Sequence, residues 1–461
     1  MSATNQTINP ATEEVIETYD MATDAEARDI VEASHEAFLA WRTTALAERA
    51  HILRAIAKAL RERKDDLVKL MTREMGKPIS QGGAEVELCA AICEYTAKNG
   101  PEFLAGEKRP LEGGRALITY QPVGIILGIQ PWNFPLYQVV RYSIANLMAG
   151  NSVLLKHAPN VWGCALELES LYREAGLPEN VFRVLLIDAE QTDALIEHKH
   201  VRGVTLTGSP VAGSKVAAKA GQCLKKSVLE LGSNDAYLVL DDADIDNAVA
   251  TCVQGRINNN GQTCVAAKRF IVVESVYKPF RDAFVAKMKQ IQYGDPAKPD
   301  TQLGPIARAD LREKLHKAVS ESVDKGATCL FGGKVPDGAG YFYPATVLED
   351  VKPGMPAYDE ELFGPVAALI KVADEDEAIR VANDSRYGLG GGIFSSDEDR
   401  AIGIARDLFD TGMVTINGYR LSQPQLPFGG VKDSGYGREH GGFGIKEFVN
   451  AKTVMIVDQD D

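Results

Sequence analysis

From Val123 onward, short apolar runs alternate with helical stretches, and this alternation constrains the chain more than any other feature. VGIILGI (123–129), NSVLLK (151–156), VFRVLL (181–186), RGVTLTG (202–208) and KSVLELG (226–232) are rich in Val, Ile and Leu. Runs of that kind, parted by helices, describe a parallel sheet covered on both faces. The stretch 153–186 is the clearest unit. It reads as strand SVLLK, Asn160 as the expected N-cap, helix VWGCALELESLYREA, Gly176 and Pro178 as the stop, and strand VFRVLL. That is a βαβ crossover.

A second block starts near Asp241 with helix DIDNAVATCVQGRI, strand RFIVVE and helix YKPFRDAFVAKMKQI, and alternates on to about Gly430. Residues 24–105 repeat apolar positions every three to four residues and read as packing helices. Two β-prone pieces, RALITYQPVG (115–124) and FVNAKTVMIVD (448–458), belong to neither block. The terminal one is expected to pair either within its own chain or with another subunit, because an unpaired apolar strand invites aggregation. At 461 residues, two large domains are expected, since single cores stop growing near roughly 250–300 residues.

A net charge of −14 with no basic stripe argues against a nucleic-acid partner. No uncharged run reaches the roughly 18 residues of a membrane span, and the first residues lack the basic flank and apolar core of a signal segment. A soluble cytoplasmic protein is the expectation. Seven cysteines, an odd number without a Cys-x-x-Cys pair, fit a reducing compartment. Cys89 and Cys93, one helical turn apart without a histidine pair beside them, read as buried apolar residues. DDADIDN (241–247) lacks the sixth-position Gly and closing Glu of a calcium loop, so no metal site is expected.

Four places carry chemistry. Cys264 stands in the polar, glycine-containing stretch NNNGQTCVAAKR between a helix and an apolar strand. Most cysteines are inert, and a thiol on a polar loop is the kind that reacts. Glu230 sits among apolar residues of a buried strand, where an ionised carboxylate costs several kcal/mol unless paired. It is either a partner for an Arg or a desolvated general base. Asn133, locked in PWNFP by two prolines and two aromatics, is either a turn residue or a preorganised oxyanion donor. TLTGSPVAGSK places Gly208, Ser209 and Gly213 where a strand opens into a helix, an end that favours phosphate. GxGxxG occurs nowhere, so an ordinary dinucleotide fingerprint is absent.

Taken together, PWNFP, LLKHAP, TGSPVAG, LELG, GQTC, EELFGP and PFGGVKDSGYGRE resemble the aldehyde dehydrogenase superfamily, in its order and from about residue 8 to the chain end. The resemblance implies an α/β architecture. A Rossmann-type cofactor domain (1–103 and 123–231) joins an α/β catalytic domain (232–445) and a small β oligomerisation region (104–122 and 446–461). It makes Cys264 the nucleophile, Glu230 the general base, and Asn133 with the Cys264 amide the oxyanion donors. NAD or NADP would lie against Trp132, Lys156, Gly208, Ser209, Leu231, Glu361 and Phe363. A homodimer or homotetramer would follow from the β region.

Among members of that superfamily, LLKHAPN, Arg141 and NGYRLSQPQLPFGG look most like succinate-semialdehyde dehydrogenases. Arg141 and Ser422 would then meet the substrate's distal carboxylate, with Thr263 beside the nucleophile. A structural ion pair is the competing reading of Arg141. The implied reaction is oxidation of a short ω-carboxy aldehyde through a thioester. Alternatives are a general aliphatic aldehyde dehydrogenase, a CoA-acylating relative, which would lack Glu230, and a non-catalytic descendant. Three departures stand out. Ser233 replaces the second glycine of LELGG, so strain is expected if that position needs positive φ. Pro159 stands where NAD-specific relatives carry Glu, leaving a 2′-phosphate unopposed. No second cysteine adjoins Cys264 to form a redox bridge.

Overall fold

The computed structural model describes residues 3–458. Among these residues two large sheets and one three-stranded sheet organise the molecule. The first large sheet runs Gly435–Tyr436, Lys226–Glu230, Val201–Thr207, Ile125–Gln130, Ser152–His157, Phe182–Val184. All its pairings are parallel except that of Gly435–Tyr436. From Ile125–Gln130 the chain builds outward to one side, then returns to start the other side at Val201–Thr207. That reversal is a topological switch point, and crevices of this kind open at the carboxyl ends of the strands.

Side-chain alternation along these strands feeds both faces. Ile125, Leu127 and Leu154 pack with Ala27 and Val31 of the helix Asp24–Trp41. Ile126, Val153 and Leu155 pack against the other layer of helices, with Ile56, Met71, Ile144 and Leu168. All are buried, and each Val, Leu, Ile or Met side chain among them contributes about 1.5–3 kcal/mol. Thr23 and Glu26 form a reciprocal capping box that starts the first of those helices. Cys89 and Cys93 are buried in the helix Ile79–Phe103, as expected of apolar residues, and all seven cysteines are free.

The second large sheet runs Thr328–Phe331, Thr346–Glu349, Val366–Val372, Arg269–Val273, Ala236–Val239, Gly391–Phe394, Thr415–Ile416. It too is parallel apart from its first strand. Leu238 and Ile271 face one core, Tyr237, Phe270 and Val272 the other. The three-stranded sheet joins Val449–Val457, Gly114–Pro122 and Glu107–Leu111. The terminal strand thus pairs within its own chain, along its whole length.

Several expectations need correction. Asn160 is not an N-cap: it lies in the 3-10 turn Pro159–Val161, and the helix Trp162–Glu174 has no side-chain cap of its own. The amides of Gly163 and Cys164 donate instead to Glu74, at 2.9 and 3.0 Å. The second block begins earlier than Asp241, with the interior strand Ala236–Val239. The strand VFRVLL shrinks to Phe182–Val184, and the helix expected from Tyr277 spans Glu274–Met288. The hairpin Thr4–Ile8/Val15–Asp20 and the strand Glu107–Leu111 had no forecast. No helix among the described residues is long and apolar enough to cross a membrane.

Candidate active site

The two sheets present opposite ends to one another's loops. Trp132 and Asn133 follow Ile125–Gln130, Lys156 is the penultimate residue of Ser152–His157, Gly208 and Ser209 follow Val201–Thr207, and Leu231 follows Lys226–Glu230. Those are carboxyl ends of the first sheet. Ser233 precedes Ala236–Val239, Cys264 precedes Arg269–Val273, and Glu361 precedes Val366–Val372. Those are amino ends of the second.

Cys264 is delivered by a turn that the sequence NNNG dictates. Asn259, Asn260 and Gly261 are consecutively left-handed, with φ of 54°, 59° and 74°, a region that Gly and Asn enter at least cost. At Gly261 a Cβ would stand 2.3 Å from the carbonyl carbon of Gly364, so the turn closes against the loop that carries Glu361 and Phe363 only without one. Asn260 donates to the carbonyls of Gly76 (2.8 Å) and Pro305 (3.0 Å), and Gln262 accepts from the Ala307 amide at 3.0 Å. Arg256, fully buried, donates to the Gly261 carbonyl at 2.7 Å. Cys264 itself is half-buried at the wall of a cavity of about 500 Å³ lined by Phe134, Tyr137, Thr263, Ser422 and Phe428. Burial pushes its thiol up to about 11, against the pull of Lys268 and Arg141.

Asn133 is tied to the same loop. Its Nδ2 donates to the Gln262 carbonyl at 3.0 Å, and Asn259 donates to the Asn133 carbonyl at 2.7 Å. An amide carries two hydrogens, so one is committed to the loop and the other remains for a ligand. The preceding turn is pinned by His157, whose buried ring lies 2.9 Å from the Pro135 carbonyl and 3.1 Å from that of Gln130. Burial drops its pKa to about 4, which keeps the ring neutral. Glu85, paired with the buried Lys77, accepts from the amides of Leu136 and Tyr137 and so holds the start of the helix Tyr137–Ala149.

Glu230 is buried, and among the described residues neither carboxylate oxygen has a hydrogen-bond partner. Burial holds its carboxyl well above the usual range. Gly429 makes room for it: a Cβ there would come within 2.9 Å of Oε1. The charged groups around it are Arg141, Glu439, Arg438 and Glu447. Arg141 is fully buried, ion-paired with Glu439, and donates to the Thr207 hydroxyl at 2.8 Å. The structural ion pair anticipated as the competing reading of Arg141 therefore exists. Its guanidinium lies behind the rings of Tyr137 and Phe428, 5.2 and 4.9 Å from their centres, and Nη1 has no hydrogen-bond partner among the described residues.

The remaining residues gather on the carboxyl edge of the first sheet. Trp132 and Phe363 meet edge to face at 5.7 Å. Ser209 caps the helix Pro210–Gln222 by accepting from the Ala212 amide at 3.3 Å, and the Gly208 amide donates to the Glu230 carbonyl at 3.0 Å. Leu231 packs beneath that helix against Gly213. Lys156, next to last in its strand, is half-buried, its pKa lowered by burial. Glu361 accepts from the Ser233 amide at 3.0 Å. Ser233 is not among the positive-φ residues, so the serine imposes no strain there. Its hydroxyl donates to the buried Asp235.

A switch-point crevice, a capped helix start, a lysine and two facing aromatic rings form a set that fits a nicotinamide dinucleotide. Among the described residues no cluster of His, Cys, Asp or Glu is arranged to hold a metal ion. In DDADIDN, Asp244 caps the helix Ile245–Ile257, while Asp241 and Asp242 pair with Arg400. Sequence reasoning missed His157, Glu85, Asp235, Lys268 and Glu439. Their signal was weak, because each has at least one partner distant in the chain.

The chain matches the Aldehyde dehydrogenase family over residues 1–454. It is 46% identical to a succinate-semialdehyde dehydrogenase (NADP(+)) of Deinococcus radiodurans, covering 97% of this chain and 94% of that one. It is 45% identical to the succinate semialdehyde dehydrogenase (NAD(P)+) Sad of Escherichia coli strain K12, covering 97% and 96%. The crystal structure of succinic semialdehyde dehydrogenase from Streptococcus pyogenes in complex with NADP+ superposes with a TM-score of 0.96 at 40% identity, covering 98% of this chain and 100% of that one. With the match running almost end to end, this chain belongs to the aldehyde dehydrogenase family.

Proposed function

We propose that the protein oxidises succinate semialdehyde, or a similarly short ω-carboxy aldehyde, to the acid, using NAD or NADP. The Cys264 thiolate adds to the aldehyde carbon, and the resulting oxyanion is received by Asn133 Nδ2 and the Cys264 amide. Lys156, Ser209 and Glu361 would hold a nicotinamide dinucleotide with Trp132 and Phe363 beside its ring, and when bound it would supply the hydride acceptor. The thioester left on Cys264 is hydrolysed by a water that gives its proton to Glu230, and the acid departs with the thiolate restored. A carboxylate whose pKa is raised by burial is suited to take that proton near neutral pH. Both coenzymes are accepted because Pro159 supplies no carboxylate to repel a 2′-phosphate where NAD-specific relatives carry Glu; the acid that bears on Lys156 is Asp188. The parts act as cofactor region (1–103, 123–231), catalytic region (232–445) and subunit-contact region (104–122, 446–461), in a dimer or a pair of dimers.

One observation carries the substrate assignment. Behind the cavity wall stands a buried guanidinium whose Nη1 no well-formed hydrogen bond engages, and at the wall is the Ser422 hydroxyl, both beside the Tyr137 hydroxyl. A fork of this kind suits a carboxylate. The names of the relatives agree with it. The test compares kcat/KM for succinate semialdehyde and butanal, with NAD and with NADP, in the parent and in Arg141→Gln. A preference for the semialdehyde of about 100-fold, falling about tenfold or more in the variant, is expected for a lost charge-assisted contact. Equal kcat/KM for the two aldehydes in the parent would sink the assignment.

A further inference from the structure

Lys268 is among the largest fully buried side chains of the molecule. Taking an ammonium out of water costs several kcal/mol unless it is well paired, so its partners matter. It donates to the Thr263 carbonyl at 3.2 Å and to the Cys264 carbonyl, and it pairs with Glu361 Oε1 at 3.2 Å. Every one of these contacts belongs to the loop of the thiol or to the loop beside the aromatic pair. Its neighbour Arg269, the first residue of the strand Arg269–Val273, takes a different set of partners. Arg269 donates to the carbonyls of Asn234, Val381 and Ala382, which is a purely structural set.

We propose that Lys268 is a positioning residue for the attack on the aldehyde: it orients and electrostatically supports the nucleophile, and Glu361 holds it in check. This rests on the reading of Cys264 as the nucleophile. The Thr263 carbonyl and the Cys264 amide share one trans peptide and point in opposite directions. An ammonium fixed on the carbonyl therefore turns the amide hydrogen away from Lys268, polarises it, and holds the thiol's backbone at both ends. The same positive charge favours the thiolate. Four charged groups bear on Cys264 here: Lys268 and Arg141 lower its pKa, Glu361 and Asp235 raise it. Tyr419 is the remaining titratable neighbour. Whatever draws Glu361 off Lys268 removes an opposing charge and leaves the ammonium to the thiolate alone. Glu361 is thus a brake on the thiol, released when that carboxylate is engaged elsewhere.

The test follows the alkylation rate of the cofactor-free protein by iodoacetamide against pH, with Cys264→Ser identifying the reacting thiol. In Lys268→Met the midpoint of the profile is expected to rise by about one unit or more, so that alkylation at pH 7.5 slows about tenfold. Lys268→Arg should recover most of the parent profile. Glu361→Gln should move the midpoint the opposite way, and this arm decides the matter even where Lys268→Met does not fold. Folded Lys268→Met with the parent profile, or Glu361→Gln with an unchanged or raised midpoint, overturns the proposal. The two readings fail separately. Dehydrogenase activity retained in Cys264→Ser would remove the nucleophile itself, whereas an inactive Cys264→Ser with unmoved profiles would remove only the role of Lys268.

Discussion

Ser233 shows how a single departure from a family motif is absorbed. The position does not require positive φ, and the hydroxyl it introduces donates to Asp235, a buried carboxylate that also accepts from the Gly390 amide at 3.0 Å. Ser233→Ala should therefore destabilise the protein by about 1–2 kcal/mol, the usual effect of leaving a buried acceptor short of a donor. Denaturant unfolding of the two proteins measures it, and no difference would mean that the hydroxyl is idle. Gly261 is the opposite case. There both φ and the 2.3 Å approach to Gly364 exclude a side chain. Gly261→Ala should lower stability by roughly 1–3 kcal/mol and cut aldehyde oxidation more than the stability loss accounts for, because it moves the turn that carries Cys264. Initial rates at a temperature where the variant is fully folded separate the two effects. Cys264, Glu230 and Asn133 were legible in the sequence because each looks out of place locally: a thiol on a polar loop, an acid in an apolar strand, an amide between prolines. Lys268 and Asp235 were not, since a lysine or an aspartate near a strand end is ordinary until its partners are known.

At the level of elements, the long parallel strands were readable from their unbroken apolar runs, and the helices from their three-to-four-residue period. What escaped was set by distant contacts. Ala236–Val239 is four residues long, too brief to show a period, yet it lies inside its sheet because Arg269–Val273 and Gly391–Phe394 flank it. Asn160 fits the local pattern of an N-cap, but Glu74, 89 residues before Gly163, takes that place. Glu74 also makes the element pH-sensitive. Burial raises its pKa from 4.5 to about 7. A carboxyl raised in the folded state contributes stability that is fully present below its unfolded pKa and is lost as pH rises through the folded one. Compared with Glu74→Gln, which cannot ionise, the parent should therefore lose on the order of 2 kcal/mol between pH 4.5 and pH 8. Thermal unfolding of both proteins across that range checks the slope, and parallel curves would contradict it.

For the whole molecule, the small sheet is the part most open to a neighbour. Val449–Val457 is an edge strand whose residues Val454, Met455, Ile456 and Val457 are exposed by 42%, 62%, 48% and 71%, and an exposed apolar edge of this length invites another chain. If this edge joins subunits, Met455→Lys should convert the assembly to a smaller species without changing the fold. Sedimentation velocity over a range of concentrations would detect it, and an unchanged mass would place the contact elsewhere. The segment PFGGVKDSGYGRE crosses back from the second sheet to the first, where Gly435 pairs with Glu230 and Ser434 donates to the Gly232 carbonyl 202 residues earlier in the chain. The wall around Glu230 is thus completed by a segment far along the chain from it. Bringing so distant a segment onto the edge of the first sheet closes a long loop, whose entropy is offset only by contacts that need both sheets in place. The pocket of Glu230 therefore exists only while both sheets are joined, and releasing the segment around Gly429 and Gly435 from Lys226–Glu230 leaves that carboxylate open to water.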